Sequence, residues 1–99
     1  MIIITGSATI RPACIDEALR LGREHSQRSR GEPGCVAHNC HIDAENPHRI
    51  VFVEEWADMD AVKAHFAVPE SGGFVKAMGR MAVAAPVMTI FNADEISVR

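Results

Sequence analysis

Residues Arg49 to Pro69 read RIVFVEEWADMDAVKAHFAVP, and this stretch decides the fold. Ile50 to Val53 is a strand-like run that leads into Trp56, the only tryptophan of the chain. Asp58 follows as an N-cap, with Asp60 in the first turn to complement the helix dipole. Met59, Val62 and Phe66 then recur at helical spacing with His65 beside them, until Val68-Pro69 ends the helix. An indole, an imidazole and a phenyl ring thus meet near one strand-to-helix junction, as one wall of a small pocket for a flat organic molecule.

Upstream, Ile2 to Ile10 alternates, with Ile2, Ile4, Ala8 and Ile10 on one side, and predicts a strand. Pro12 suits the first turn of an amphipathic helix that runs to about Arg30, with Ile15, Ala18, Leu19, Gly22 and Ser26 on its apolar face. Gly31-Glu32-Pro33-Gly34 stops it. Cys35 to Asp43 predicts a second strand, joined through Ala44-Glu45-Asn46-Pro47 to a third over His48 to Ala57. Downstream, Gly72-Gly73 loosens the start of a further helix marked by Phe74, Met78, Met81, Ala82 and Ala85. Pro86 opens a last strand, Val87 to about Ala93.

This order predicts an α+β, ferredoxin-like βαββαβ fold with a four-stranded antiparallel sheet under one layer of helices. The whole chain reads as a single domain, residues 1–99, with a core over about 2–94 and a C-terminal tail over 95–99. Ile50 and Phe52 oppose Val51 and Val53, so the strands are apolar on both sides. A bare apolar sheet face exceeds what a monomer normally exposes, which predicts a homodimer through the sheet faces, a dimeric α+β barrel.

Composition narrows the function. The chain has 99 residues and a net charge of −3, without a basic cluster, which argues against nucleic acid. Arg20, Arg23, Arg28 and Arg30 read as a solvated helix face. No targeting segment is evident and no apolar run approaches the ~20 residues of a membrane span, so a cytoplasmic location is expected. Three cysteines without C-x-x-C spacing fit reduced thiols. His38 and His41 are three apart on a strand and point to opposite faces, and no glycine loop has phosphate-binding spacing, so neither a metal nor a phosphate site is expected.

The motif F-V-E-E-W-x-D-x-D-A-V-x-x-H-F-x-x-P, together with Glu32-Pro33-Gly34-Cys35 and the order of elements, resembles the antibiotic biosynthesis monooxygenase domain over about Ile2 to Asp94. The resemblance implies a dimeric α+β barrel with a cavity between sheet and helices. It also implies oxidation of phenols or hydroquinones by O2 without metal, haem or flavin. The chain departs from that pattern in places. Glu70 follows Pro69 where a histidine is common, and His38 and Phe52 fall near positions often held by tyrosine. The haem-degrading branch is disfavoured, because Gly6-Ser7, His65 and Met78 fall near the positions of its Asn, Trp and His.

Ground-state O2 is a triplet and reacts slowly with closed-shell molecules, but a phenolate can give up one electron. That chemistry needs a base, and a histidine with a pKa near ~6.5 is suited to it. His65 is the candidate catalytic base, with Trp56, Phe66 and Phe74 lining the cavity and Asn39 hydrogen-bonding a substrate oxygen. Glu54 and Glu55 alternate, so one of them faces inward or into the dimer seam, where an arginine such as Arg49 or Arg80 would pair with it. The expected protein is a cofactor-independent monooxygenase for a small aromatic. The alternative is a non-catalytic ligand-binding or stress-related dimer of the same fold.

Overall fold

The protein is described by a computed structural model covering residues 1–98. Its elements are β1 (Ile2–Thr9), a 3-10 turn (Pro12–Cys14), α1 (Ile15–Ser29), β2 (Cys35–Asp43), β3 (Asn46–Trp56), α2 (Met59–Ala67), α3 (Pro69–Met81) and β4 (Val87–Asn92). The four strands form one sheet in the order β2-β3-β1-β4, with every neighbouring pair antiparallel. This is the ferredoxin-like α+β arrangement that the sequence predicts. No regular element follows Asn92 among the described residues, and Arg99, the last residue of the expected tail, lies outside them.

The alternation in β1 places Ile2, Ile4, Ala8 and Ile10 under the helices, each less than a tenth exposed. In β3 the inward set is Ile50, Phe52, Glu54 and Trp56, also all buried. Two apolar clusters result. One joins Ala8, Ile10, Ala18, Ile50, Phe52, Met78 and Ala82, and the other joins Ile2, Ile4, Trp56 and Val62. Glycine lets α1 approach the sheet closely: a Cβ on Gly22 would lie 2.9 Å from Cys40 Sγ and 3.2 Å from Phe52 Cζ.

Three local expectations are corrected. Helix α3 begins at Pro69 rather than near Phe74, so Gly72 and Gly73 lie inside it. Proline at N1 and Glu70 in the first turn start the helix, and they outweigh the helix penalty of two glycines. In α2 the buried side chains are Val62 and His65, while Met59 is 37% and Phe66 45% exposed. The Asp58 side chain does cap α2, accepting from the Ala61 N–H at 2.9 Å. Finally, Arg28 and Arg30 are not simply solvated, because Arg28 bonds the buried His25 one turn back and Arg30 bonds the His38 carbonyl of β2.

The outer sheet face carries Val51 and Val53 of β3 in register with Ser7 and Thr5 of β1, and these in turn with Val87 and Thr89 of β4. Strand β4 is exposed throughout, with Met88 and Ile90 open on one face and Val87 and Phe91 on the other. Among the described residues no helix is long and apolar enough to cross a membrane.

Gly34 bears the tightest backbone constraint. Its φ is +81°, and an added Cβ would lie 2.5 Å from Ala61 Cβ. Gly34→Ala should therefore lower stability by about 2–4 kcal/mol, combining left-handed strain with overpacking. Gly79→Ala, inside α3 with nothing within 4 Å of the new Cβ, should raise it by about 0.5–1 kcal/mol. Urea unfolding of the two variants checks the opposite signs.

Candidate functional site

The site is a buried polar cluster under the sheet, between the two apolar ones. His25 comes from α1, His38 from β2, Glu54 from β3 and His65 from α2. Their exposures are 5%, 0%, 7% and 3%. Each position has a local cause. On α1, Ala18, Gly22, His25, Ser26 and Ser29 repeat at helical spacing, so His25 continues the inward stripe. On β2 the register shifts between Cys35 and Ala37, which brings His38 opposite Glu54 while Cys35 is opposite Trp56. Both residues of β2 thus face the helices although they are three apart, as a bulge allows. On β3, alternation settles the inward carboxylate as Glu54 rather than Glu55.

One ring nitrogen from each of the three histidines lies within 4.8 Å of the other two. Glu54 Oε1 accepts from Trp56 Nε1–H at 2.9 Å. The same oxygen lies 3.4 Å from His38 Nε2 and 4.0 Å from His65 Nε2. The outer edges of the rings are also held. His65 Nδ1–H donates to Glu32 Oε1 at 2.8 Å, which leaves Nε2 with a free lone pair. His38 Nδ1 bonds Ser26 Oγ at 2.9 Å, and Arg28 Nη2 donates to His25 Nδ1 at 2.7 Å. Arg30 Nε donates to the His38 carbonyl at 3.0 Å. Among the described residues four buried side-chain atoms lack a hydrogen-bond partner, and three of them surround this cluster: His38 Nε2, Glu32 Oε2 and Arg28 Nε.

Aromatic rings complete the packing. Phe74 stacks on His25 with centroids 4.1 Å apart and planes 6° from parallel. Trp56 lies 4.6 Å from the His65 ring, and His38 lies 5.6 Å from it. His65 therefore faces imidazoles, an indole and two carboxylates, where the sequence suggested an apolar hollow. A cleft of about 110 Å³ opens nearby between α1 and α3, lined by Leu21, His25, Arg28, Glu70 and Phe74 among others.

Of the residues singled out from the sequence, His65 and Trp56 lie in the cluster and Phe74 joins it through His25. Phe66 is 5.8 Å from the His65 ring but lies toward solvent. Asn39 is exposed, in register with Val53 on the outer face, and accepts from Arg30 Nη2 at 3.4 Å. An Asn39 contact with a substrate oxygen in the cluster therefore has no support. Among the described residues Glu54 pairs with no arginine; its partners are the Trp56 N–H and the two histidines. His25, His38 and Glu32 were missed as site residues because they share no local motif. The helical spacing of His25 with Gly22 and Ser29 was the one available signal.

Burial pushes His25 and His38 down to about 3, helped by repulsion from neighbouring imidazoles and from Arg28, and for His38 also from Arg30. Burial raises the Glu54 carboxyl, against the opposing effects of the Trp56 N–H and His65, while Glu32 adds to the rise.

The chain matches the profile described as antibiotic biosynthesis monooxygenase over residues 1–77, and it belongs to that family. It is similar to a crystal structure of an antibiotic biosynthesis monooxygenase, with a TM-score of 0.88 and 28% identity over 96% of this chain and 100% of the other. It shares its fold with a Deinococcus radiodurans protein described as a candidate member, with a TM-score of 0.93 and 23% identity over 100% and 99% of the two chains. An uncharacterised Synechocystis protein is 28% identical over 75 residues, which are 76% of this chain and 51% of that one. The chain thus spans about half the length of that curated relative.

Both depressed histidines fold neutral but take up protons in the unfolded chain below about 6.5. Their contribution to stability is present above that pH and is lost as pH falls toward about 3. The raised Glu54 works in the opposite direction, favouring the folded state as it protonates. Two imidazoles outweigh one carboxyl, so the unfolding free energy should drop on acidification, by up to about 1.4 kcal/mol per pH unit for each histidine. Urea midpoints at about pH 7.5 and about pH 5 test this, and equal midpoints would contradict it.

Proposed function

We propose that the protein is a monooxygenase that oxidises a small phenol with O2, acting as a cytoplasmic homodimer. In the proposed reaction a phenol with an open ring position and O2 give a quinone and water. One oxygen atom enters the ring and the other leaves as water, and the substrate supplies all four electrons. The chemistry calls for no external reductant and no flavin or haem.

The observation that carries this reading is the His65–Glu32 pair within a chain of the antibiotic biosynthesis monooxygenase family. A carboxylate holds Nδ1–H, and the opposite nitrogen keeps a lone pair facing the cluster, the arrangement used by a general base. The substrate enters through the cleft beside His25 and stacks against the His25–Phe74 pair. Its 110 Å³ is below the roughly 300 Å³ at which ordinary ligand pockets begin, which favours a single ring over a fused polycycle. The exposed outer sheet face and the uncovered β4 support pairing of two copies through their sheets.

Metal-stripped protein mixed with phenols and hydroquinones should consume O2 and form quinone, with label from isotopic O2 in the phenol-derived product. His65→Ala should lower the rate by about 10²-fold or more, the usual contribution of a positioned base. Thermal stabilisation by the same phenols without O2 uptake would overturn this reading in favour of a binding protein. In sedimentation, the wild type should show twice the chain mass, and Val53→Glu should show the monomer.

A further inference from the structure

We propose that His38, His65 and Glu54 form a binding site for a divalent transition-metal ion, with His25 as a conditional fourth ligand. The inference goes beyond the phenol oxidation and does not depend on it: an ion on His65 Nε2 occupies the lone pair that the base would use, so the oxidation belongs to the metal-free form. The metal-free expectation drawn from the sequence compared His38 only with its strand neighbour His41, whereas its real partners come from other elements.

The donor spacing is the first support. Metal–nitrogen and metal–oxygen bonds of roughly 2.0–2.2 Å place adjacent ligand atoms roughly 3–3.5 Å apart. The 3.4 Å from Glu54 Oε1 to His38 Nε2 fits directly. The 4.0 Å to His65 Nε2 and the 4.8 Å limit on the three histidines require only side-chain contraction around an ion.

The second support lies in the surrounding hydrogen bonds. Histidines that bind metal hold their other nitrogen against a carboxylate, a carbonyl or another polar group, which fixes the ring and the tautomer. Here His65 Nδ1–H is held by Glu32, His38 Nδ1 by Ser26, and the Glu54 oxygen by the Trp56 indole. Both Nε2 atoms are thereby aimed at one carboxylate oxygen. His38 Nε2 is buried without a hydrogen-bond partner, and a bound cation satisfies it.

Charge is the third. Glu32 and Glu54 bring two carboxylates to the cluster and offset a divalent ion, although Arg28 on α1 and Arg30 at its C-cap oppose it. Two imidazoles and one carboxylate suit Fe²⁺, Co²⁺, Ni²⁺ or Zn²⁺ rather than Mg²⁺ or Ca²⁺, and three protein ligands leave positions open for water or another small ligand. His25 is conditional because its Nδ1 accepts from Arg28, so its Nε2 carries the proton until Arg28 lets go.

The test is direct binding, without substrate. Chelator-stripped full-length protein is titrated with Co²⁺ and Zn²⁺, using calorimetry for stoichiometry and the visible Co²⁺ bands for ligand geometry. One ion per chain is expected. Glu54→Gln and His38→Gln, which nearly preserve side-chain volume, should each weaken binding at least 100-fold, and Glu32→Gln about 10–100-fold through His65. The His41→Ala, His48→Ala double variant, which removes the two histidines outside the cluster, should bind like wild type. Circular dichroism confirms that the variants fold. Absence of Co²⁺ and Zn²⁺ binding, or binding lost in the double variant but kept in folded Glu54→Gln, would overturn the site. Phenol oxidation by stripped protein reports separately on the proposed reaction.

Discussion

The structure turns on a carboxylate placed under the sheet. Glu54 belongs to β3, one of the two strands paired on both sides, and it points at the helices instead of at water. Burying an ionisable group is costly unless hydrogen bonds or opposite charge offset the lost solvation. Every element around Glu54 answers that constraint. The next inward residue of its own strand, Trp56, donates an N–H; β2 sets His38 opposite; α2 brings His65 alongside. Glu32, in the connection after α1, anchors the far side of His65.

The interior is therefore not one continuous apolar core. An apolar cluster under α1 and α3 and a smaller one around Trp56 lie on either side of the polar residues. In a domain this small, such an interior sacrifices apolar burial that a purely structural sequence would use. The depressed imidazoles and the raised carboxyl are three signs of the same sacrifice, and perturbed groups gathered in one place are characteristic of functional sites. Membership of the antibiotic biosynthesis monooxygenase family gives that arrangement a chemical context.

Much of this architecture is legible in the sequence, because period-2 and period-3.6 patterns report directly on burial. The faces of β1 and β3, the turn between β2 and β3, the Asp58 cap and the break at Val68 all follow from local rules. The start of α3 does not, because two glycines mask a sound beginning at Pro69 and Glu70. The outward turn of Phe66 does not either: α2 is short, and its inward side holds only Val62 and His65. The cluster is the hardest to read. Residues 25, 38, 54 and 65 come from four elements and meet only when the sheet closes over α1. His38 is doubly hidden, because the register shift after Cys35 reverses the parity that plain alternation assigns to it.

That shift has an evolutionary reading. Val36 is the extra residue at the start of β2, between Cys35 opposite Trp56 and Ala37 opposite Glu55, and the pairing from Ala37 to Ile42 runs on without it. A single-codon deletion of Val36 removes the bulge and leaves His38 opposite Glu54, so the interior imidazole survives a change of length there. Related chains can therefore differ in length at this point and keep the same interior histidine, so a gap in the aligned columns there says little about the site.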